Sequence, residues 1–329
     1  QLRFSDFPVR TLRKTLNQIL LSSDVEGIST YSNRKGEFEL RIEIMKYLYE
    51  SRGVRCLPEQ ILLSSGISQC IGLLGQLIRK HSAKAASEEP SQQPIKIALE
   101  EPCYDTVRST FLNHGFQITP ILTGKDGIDL DMLARSSAGA VYVTPSHQFP
   151  TGVVLPVNKR LGLIEWADRN QAFIIEDDYD SELRYNSRPI PSMQSLDRKE
   201  RVIYLNTFSK SFAPGMRLSF MVLPELLLEE YQRHFSNYNC SVPWLEQKIM
   251  LAFMKEGHWN RHLRKINVLN KKRHDTLINT ITEVMGDRVT IHGKNAGLHI
   301  LLEVGNGFTE AELIETAAAE GVTVYQVSN

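Results

Sequence analysis

Short apolar runs that alternate with amphipathic stretches are the feature of this sequence that most restricts its fold. Ile61–Ser64, Ile95–Leu99, Phe116–Ile121, Ala140–Val143, Ala172–Ile175 and Val202–Leu205 are short and bounded by turn-forming or polar residues, so each reads as a buried strand. The spacing predicts helices over Cys70–Arg79, Tyr104–His114 and Lys159–Asn170. It also predicts an earlier helix after Gly36, in which Leu40, Ile44 and Leu48 share a face until Arg52-Gly53 ends it. Strands that alternate with helices predict an α/β fold: a large, mostly parallel sheet covered on both faces, with ligands at the carboxyl ends of its strands. Ser65-Gly66, Glu101-Pro102, Thr144-Pro145, Asp177 and Lys210 fall at or just past such ends, so one crevice can collect them.

After Val222 the pattern changes to longer helices, predicted over Glu225–Tyr238, Leu245–Lys255 and His258–Met285. Candidate strands follow at Val289–Ile291 and Leu298–Val304, then a capping-box helix from Thr309 to Glu320 closed by Gly321, and a last strand over Val322–Val327. This describes a second, smaller α/β domain, and 329 residues with 42% hydrophobic side chains are enough for both cores. Residues 1–32 show little periodicity and are expected to form an irregular N-terminal arm. Residues 33–224 then make the large domain, and 225–329 the small C-terminal one, expected to continue past Asn329. His81–Pro94, rich in Ser, Ala, Gln and Glu, reads as an exposed loop, and the opening Gln1 suggests a piece of a longer protein.

Charge excludes some partners. Lysine plus arginine and aspartate plus glutamate both number 38, so no global field draws this chain to nucleic acid or membrane. The basic residues Arg261, Arg264, Lys265, Lys271, Lys272 and Arg273 read as a solvated helix face. No apolar run is long enough to span a bilayer, and four widely spaced cysteines read as reduced thiols, so a cytoplasmic location is expected.

The chemistry gathers at three strand ends. After Val202–Leu205 come Thr207, Ser209 and Lys210, with Arg217 seven residues further on. A lysine there can act as a Schiff-base nucleophile, and the hydroxyls and guanidinium are donors that a phosphate would use. Ser65-Gly66-Ile67-Ser68 sits between a strand and a helix, where free backbone N–H groups meet an anion. Glu176, Asp177, Asp178 and Asp180 crowd the end of the Phe173 strand but lack the glycine and distal glutamate of a calcium loop, so no metal is assigned. One of these acids could instead hold the proton on a buried heterocyclic nitrogen; with pyridoxal 5′-phosphate (PLP) as the heterocycle, the lysine is its covalent partner.

The run Glu176-Asp177-Asp178-Tyr179-Asp180-Ser181-Glu182, followed by Thr207-Phe208-Ser209-Lys210 and Arg217, resembles the signature of fold-type I PLP-dependent aminotransferases. Thr144-Pro145-Ser146-His147-Gln148-Phe149-Pro150-Thr151-Gly152 and the Arg52-Gly53 to Ile61 run make the likeness closest to MocR/GabR-type transcriptional regulators, and it covers nearly the whole chain. Phe149 stands where aminotransferases usually have asparagine, and Tyr179 follows Asp177 by only two residues, both of which favour the regulator branch. The resemblance implies that Lys210 forms the internal aldimine, Asp177 pairs with the ring nitrogen and Tyr179 bonds the ring hydroxyl. It implies too that Tyr104 stacks on the ring, while Thr207, Ser209, Arg217 and the Ile67-Ser68 backbone hold the phosphate. His147 is either a further cofactor contact or a turn-stabilising residue. The implied function is a PLP-binding effector-sensing and dimerisation domain of a GntR/MocR-family regulator, which forms an external aldimine with an amino-acid or amine effector. The protein would be a homodimer that meets DNA through a winged-helix domain outside this chain. A competent aminotransferase and a sensor of PLP itself are the alternatives. The effector-carboxylate arginine of this superfamily has no counterpart before Asn329.

Overall fold

The computed structural model describes residues 3–85, 94–185 and 190–327. Its first helix, α1 (Val9–Leu21), makes part of the N-terminal stretch regular. Leu12, Leu16 and Ile19 recur at helical spacing and pack against the core formed with the later helix Trp244–Lys255. Helix α2 (Phe38–Arg52) ends at Gly53, whose φ of 71° closes it in the left-handed conformation. Strand β1 (Ile61–Ser64) leads into α3 (Ile67–Ala85), which starts three residues before the predicted Cys70 and so takes Ile67 and Ser68 into its first turn. Of the predicted loop over 81–94, residues 81–85 are helical, and 86–93 lie outside the described residues.

The sheet continues with β2 (Lys96–Glu101), β3 (Gln117–Gly124) and the short β4 (Gly127–Ile128), with α4 (Asp105–Asn113) between the first two. Helix α5 (Leu130–Arg135) precedes β5 (Ala140–Val143), and α6 (Val157–Arg169) precedes β6 (Phe173–Asp177). The one-turn helix α7 (Met193–Leu196) leads to β7 (Val202–Thr207), the one-turn helix α8 (Phe208–Ser211) and β8 (Ser219–Val222). The eight strands lie in the order β1-β8-β7-β6-β5-β2-β3-β4. Strands β7, β6, β5, β2 and β3 are mutually parallel, while β8 runs antiparallel to both β7 and β1. Alternation within each strand divides the core. Tyr142, Ile175 and Leu205 face the side covered by α3, α4 and α9 (Glu225–His234), whereas Val141, Ile174 and Val202 face α6. Each fully buried aliphatic side chain adds about 1.5–3 kcal/mol, and the two-sided burial fixes the register. That register sets Asp177 opposite Leu205 and Val143 opposite Glu176, which brings the tips of β5, β6 and β7 to one edge.

Beyond the sheet come α10 (Trp244–Lys255) and the long α11 (His258–Met285), then a hairpin of β9 (Val289–His292) and β10 (Leu301–Val304), and α12 (Glu310–Ala319), opened by the Thr309 capping box. The predicted strand over Val322–Val327 does not form. Val322, Val324 and Tyr325 are exposed, and the segment pairs with neither strand of the hairpin. Among the described residues no helix is long and apolar enough to cross a membrane.

Candidate functional site

The parallel strand tips open onto a cavity of about 230 Å³. Nine of the ten predicted site residues line it: Ile67, Ser68, Tyr104, Asp177, Tyr179, Thr207, Ser209, Lys210 and Arg217. Tyr142, Thr144, Phe149 and Pro214 complete the wall. Tyr142 escaped the sequence reading although its signal was there, a lone phenol in an otherwise aliphatic strand.

At the deep end, Asp177 closes β6. The Tyr142 hydroxyl donates to its Oδ2, while its buried Oδ1 has no hydrogen-bond partner. Burial pushes the Asp177 carboxyl up to about 7, with the carboxylates Asp178 and Asp180 adding to the shift against the Tyr142 hydrogen bond and the charge of Lys210. An ionised acid with one free oxygen in a dry wall suits a cationic N–H donor.

Its sequence neighbours are engaged elsewhere, so the four acids do not act as one group. Glu176 accepts from the backbone N–H groups of Met193 and Gln194 at 2.7 and 2.9 Å. Asp178 turns to the opposite side and accepts from Arg52 Nε and Nη2 at 2.6 and 3.2 Å, from Tyr204 Oη at 2.6 Å, and from the Ser146 hydroxyl. Burial opposes its ionisation, yet the Arg52 charge and these donors hold its carboxyl below the usual range. Arg52, to which the sequence reading gave no partner, thus ties α2 to the tip of β6. In the next turn, the buried Glu100 carboxylate accepts from Thr144 N and Oγ1 at 2.9 and 3.0 Å and fixes the chain that leads to Phe149.

The opposite end is built for an anion. Thr207 Oγ1 caps α8 by accepting from Ser209 N at 3.2 Å, and Ser219 Oγ donates to it at 2.8 Å. Arg217 sits at φ 49°, an unusual conformation for a non-glycine residue, and its Nη2 lies 3.5 Å from the Ser65 carbonyl oxygen. Gly66 has φ 98°, and a Cβ there would fall on the Arg217 guanidinium, so only glycine lets that cation lie over the start of α3. Lys210, on α8, lines the same cavity as Asp177.

Tyr104 is 46% exposed, and its ring meets Phe149 edge-on, with centroids 5.6 Å apart. Tyr179 Oη donates to the His147 carbonyl at 2.9 Å. His147 is the predicted site residue that is not in the cavity wall: its buried ring pairs through Nδ1 with Asp180 Oδ2 at 2.9 Å.

The model of the family "Aminotransferase class I and II" matches residues 2–328. The chain belongs to that family. Its curated relatives include the uncharacterized HTH-type transcriptional regulator YdeL of Bacillus subtilis, 40% identical over 326 residues, which are 98% of this chain and 67% of the relative. The probable rhizopine catabolism regulatory protein MocR of Rhizobium meliloti is 30% identical, over 98% of this chain and 63% of its own length. The chain therefore spans about two thirds of the regulators it matches. An archaeal alanine:glyoxylate aminotransferase superposes with a TM-score of 0.83 at 22% identity, over 98% of this chain and 78% of the other, which shows the fold-type I architecture.

The cofactor that this family implies is pyridoxal 5′-phosphate, and the site fits it. The unpartnered Asp177 Oδ1 matches a protonated ring nitrogen, Lys210 supplies an amine, and the Gly66–Ser68 turn with Thr207, Ser209 and Arg217 supplies the donors of an anion cradle. A stability test follows from Asp177. Its folded pKa lies near 7, against 3.8 for the ordinary group, so in PLP-free protein the folded state keeps a proton that the unfolded chain releases. Stability consequently falls as pH rises from about 4 to about 7 and stays reduced above that. Asp177→Asn is expected to raise the melting temperature of PLP-free protein at pH 8, with the gain shrinking towards pH 5, in paired thermal melts. The same substitution is expected to weaken PLP binding.

Proposed function

We propose that this chain is the PLP-binding, effector-sensing and dimerisation domain of a MocR-type regulator of the GntR family, with residues 33–224 as its cofactor-binding domain. DNA contact would come from a winged-helix domain outside this chain, and the effector is an amino acid or another amine. Bound PLP supplies an aldehyde that condenses reversibly with amines and a ring that withdraws electrons. Lys210 is the amine on this chain placed to take that aldehyde, and an effector amine would compete with it. Asp177 would hold the proton on the ring nitrogen, Tyr142 would orient Asp177, and Tyr179 would reach the ring hydroxyl. Thr207, Ser209, Arg217 and the first turn of α3 would keep the phosphate end fixed while the amine exchanges. Tyr104 would cover one face of the ring.

The observation that carries sensing over turnover is Phe149. Its ring lines the cavity where aminotransferases usually present an asparagine amide, and it packs on Tyr104 and on His299 at 5.1 Å. An apolar wall there gives no hydrogen bond to a polar group carried by cofactor or effector, which removes a means of orienting the bond to be broken. Turnover remains the second reading because Lys210 and Asp177 are both in place. The test is PLP-loaded protein mixed with a panel of amino acids and amines, followed by absorbance and keto-acid assay. A spectral change with one or a few amines and no sustained keto acid is the expected result. Sustained keto-acid production would make the protein an aminotransferase, and a spectrum indifferent to every amine would make it a sensor of PLP alone.

A further inference from the structure

Behind the cavity, side chains from distant parts of the chain form a second polar cluster that the proposed function does not use. His147 follows the tip of β5, Asp180 follows the tip of β6, and His299 precedes β10 on the small lobe. We propose that these three residues form a binding site for a divalent transition-metal ion of the Zn²⁺ class, which joins the two lobes beside the cavity.

Each residue offers one ligand atom, and the three atoms lie within 4.8 Å of one another. His147 and Asp180 are each 1% exposed. The 2.9 Å between His147 Nδ1 and Asp180 Oδ2 sets two potential ligand atoms side by side, and a tetrahedral ion would spread them to roughly 3.4 Å. Three buried atoms of the cluster, His147 Nε2, Asp180 Oδ1 and His299 Nε2, have no hydrogen-bond partner. Buried polar atoms are nearly always paired, and the orphaned His299 Nε2 and Asp180 Oδ1 are donors of the kind that zinc prefers. A carboxylate that binds through both oxygens would engage Oδ1 as well.

The surroundings have the features of a supporting shell. The His299 ring packs against the His147 ring at 4.3 Å and the Phe149 ring at 5.1 Å between centroids, which limits the orientation of a ligating imidazole. A Cβ on Gly297 would collide with the His147 ring, and one on Gly152 with the backbone of Gly293, so the two lobes meet here through glycines. Gly297 N donates to the Leu183 carbonyl at 2.8 Å, and Tyr185 Oη donates to the Gly297 carbonyl at 2.8 Å, which holds the His299 segment in place. Two histidines and one carboxylate leave a coordination position open. The Tyr179 hydroxyl lies 3.4 Å from His147 Nδ1, so an ion here would sit next to a residue of the cavity wall.

The test uses the whole chain freed of PLP and of metal by a chelator, titrated with Zn²⁺ against a chromophoric chelator. The expected result is one ion per chain, at least about tenfold weaker binding in His299→Gln and in Asp180→Asn, and unchanged binding in His292→Gln on the surface. Zn²⁺ should also raise the melting temperature of the wild type and not of the first two variants. Absence of stoichiometric binding by the wild type, or binding that neither variant weakens, overturns the site. Circular dichroism checks that the variants fold. Where one does not, Co²⁺ in the wild type decides: ligand-field bands with paramagnetically shifted protons from two imidazoles support the site, and their absence overturns it.

Discussion

Lys210→Ala is expected to lose entirely the visible absorption band that PLP acquires on the wild-type protein, and borohydride reduction should leave no phosphopyridoxyl group on the chain. The reason is positional. Lys210 is the lysine that lines the cavity, in the same wall as Thr207, Ser209, Arg217 and Asp177. A cofactor anchored at both ends reaches this amine and no other in the wall. Non-covalent binding should survive in part, because the cradle and Asp177 remain, so equilibrium dialysis would still detect PLP in the variant. A band that persists in Lys210→Ala would remove the covalent anchor from the proposed site.

Arg52→Ala is expected to cause the largest loss of stability. Its guanidinium bonds Asp178 through two nitrogens, Ser146 Oγ at 2.9 Å and the Ile190 carbonyl at 2.9 Å, with both partners of the ion pair almost fully buried. Its removal leaves the Asp178 carboxylate in the core with hydroxyl donors alone. Breaking a buried pair on one side costs about 3–5 kcal/mol, which would show as a large fall in the urea midpoint. The double variant Arg52→Met with Asp178→Asn should recover part of the loss, because no uncompensated charge then remains. A midpoint within experimental error of the wild type in Arg52→Ala would mean that Asp178 is neutral in the fold.

Much of this architecture was legible in the sequence. The strand runs were readable because residues buried on both faces must be continuously apolar, and Asp177 and Lys210 stood out because each ends such a run. Helix α1 was missed since Leu12, Leu16 and Ile19 are sparse among polar residues and gain meaning only against α10. The Val322–Val327 stretch misled in the opposite direction. Its β-branched residues fit a strand, but strand formation needs pairing and burial, and the segment lies exposed and unpaired with the hairpin. Contacts between distant segments were beyond reach. Nothing local says that Asp178 will face Arg52 while Asp180 faces His147, because pairing depends on the direction in which the turn after β6 points each carboxylate. The approach of His299 to that turn depends on how the lobes dock.

The unpartnered oxygen of Asp177 has a meaning for the life of the protein in the cell. A chain without cofactor must hold either a buried, ionised acid or an extra proton, and a ligand that relieves this raises the free energy of unfolding by mass action. Proteases act on the opened chain, so scarcity of PLP would shorten the lifetime of the protein. The abundance of the protein would then follow the vitamin B6 status of the cell, through degradation alone.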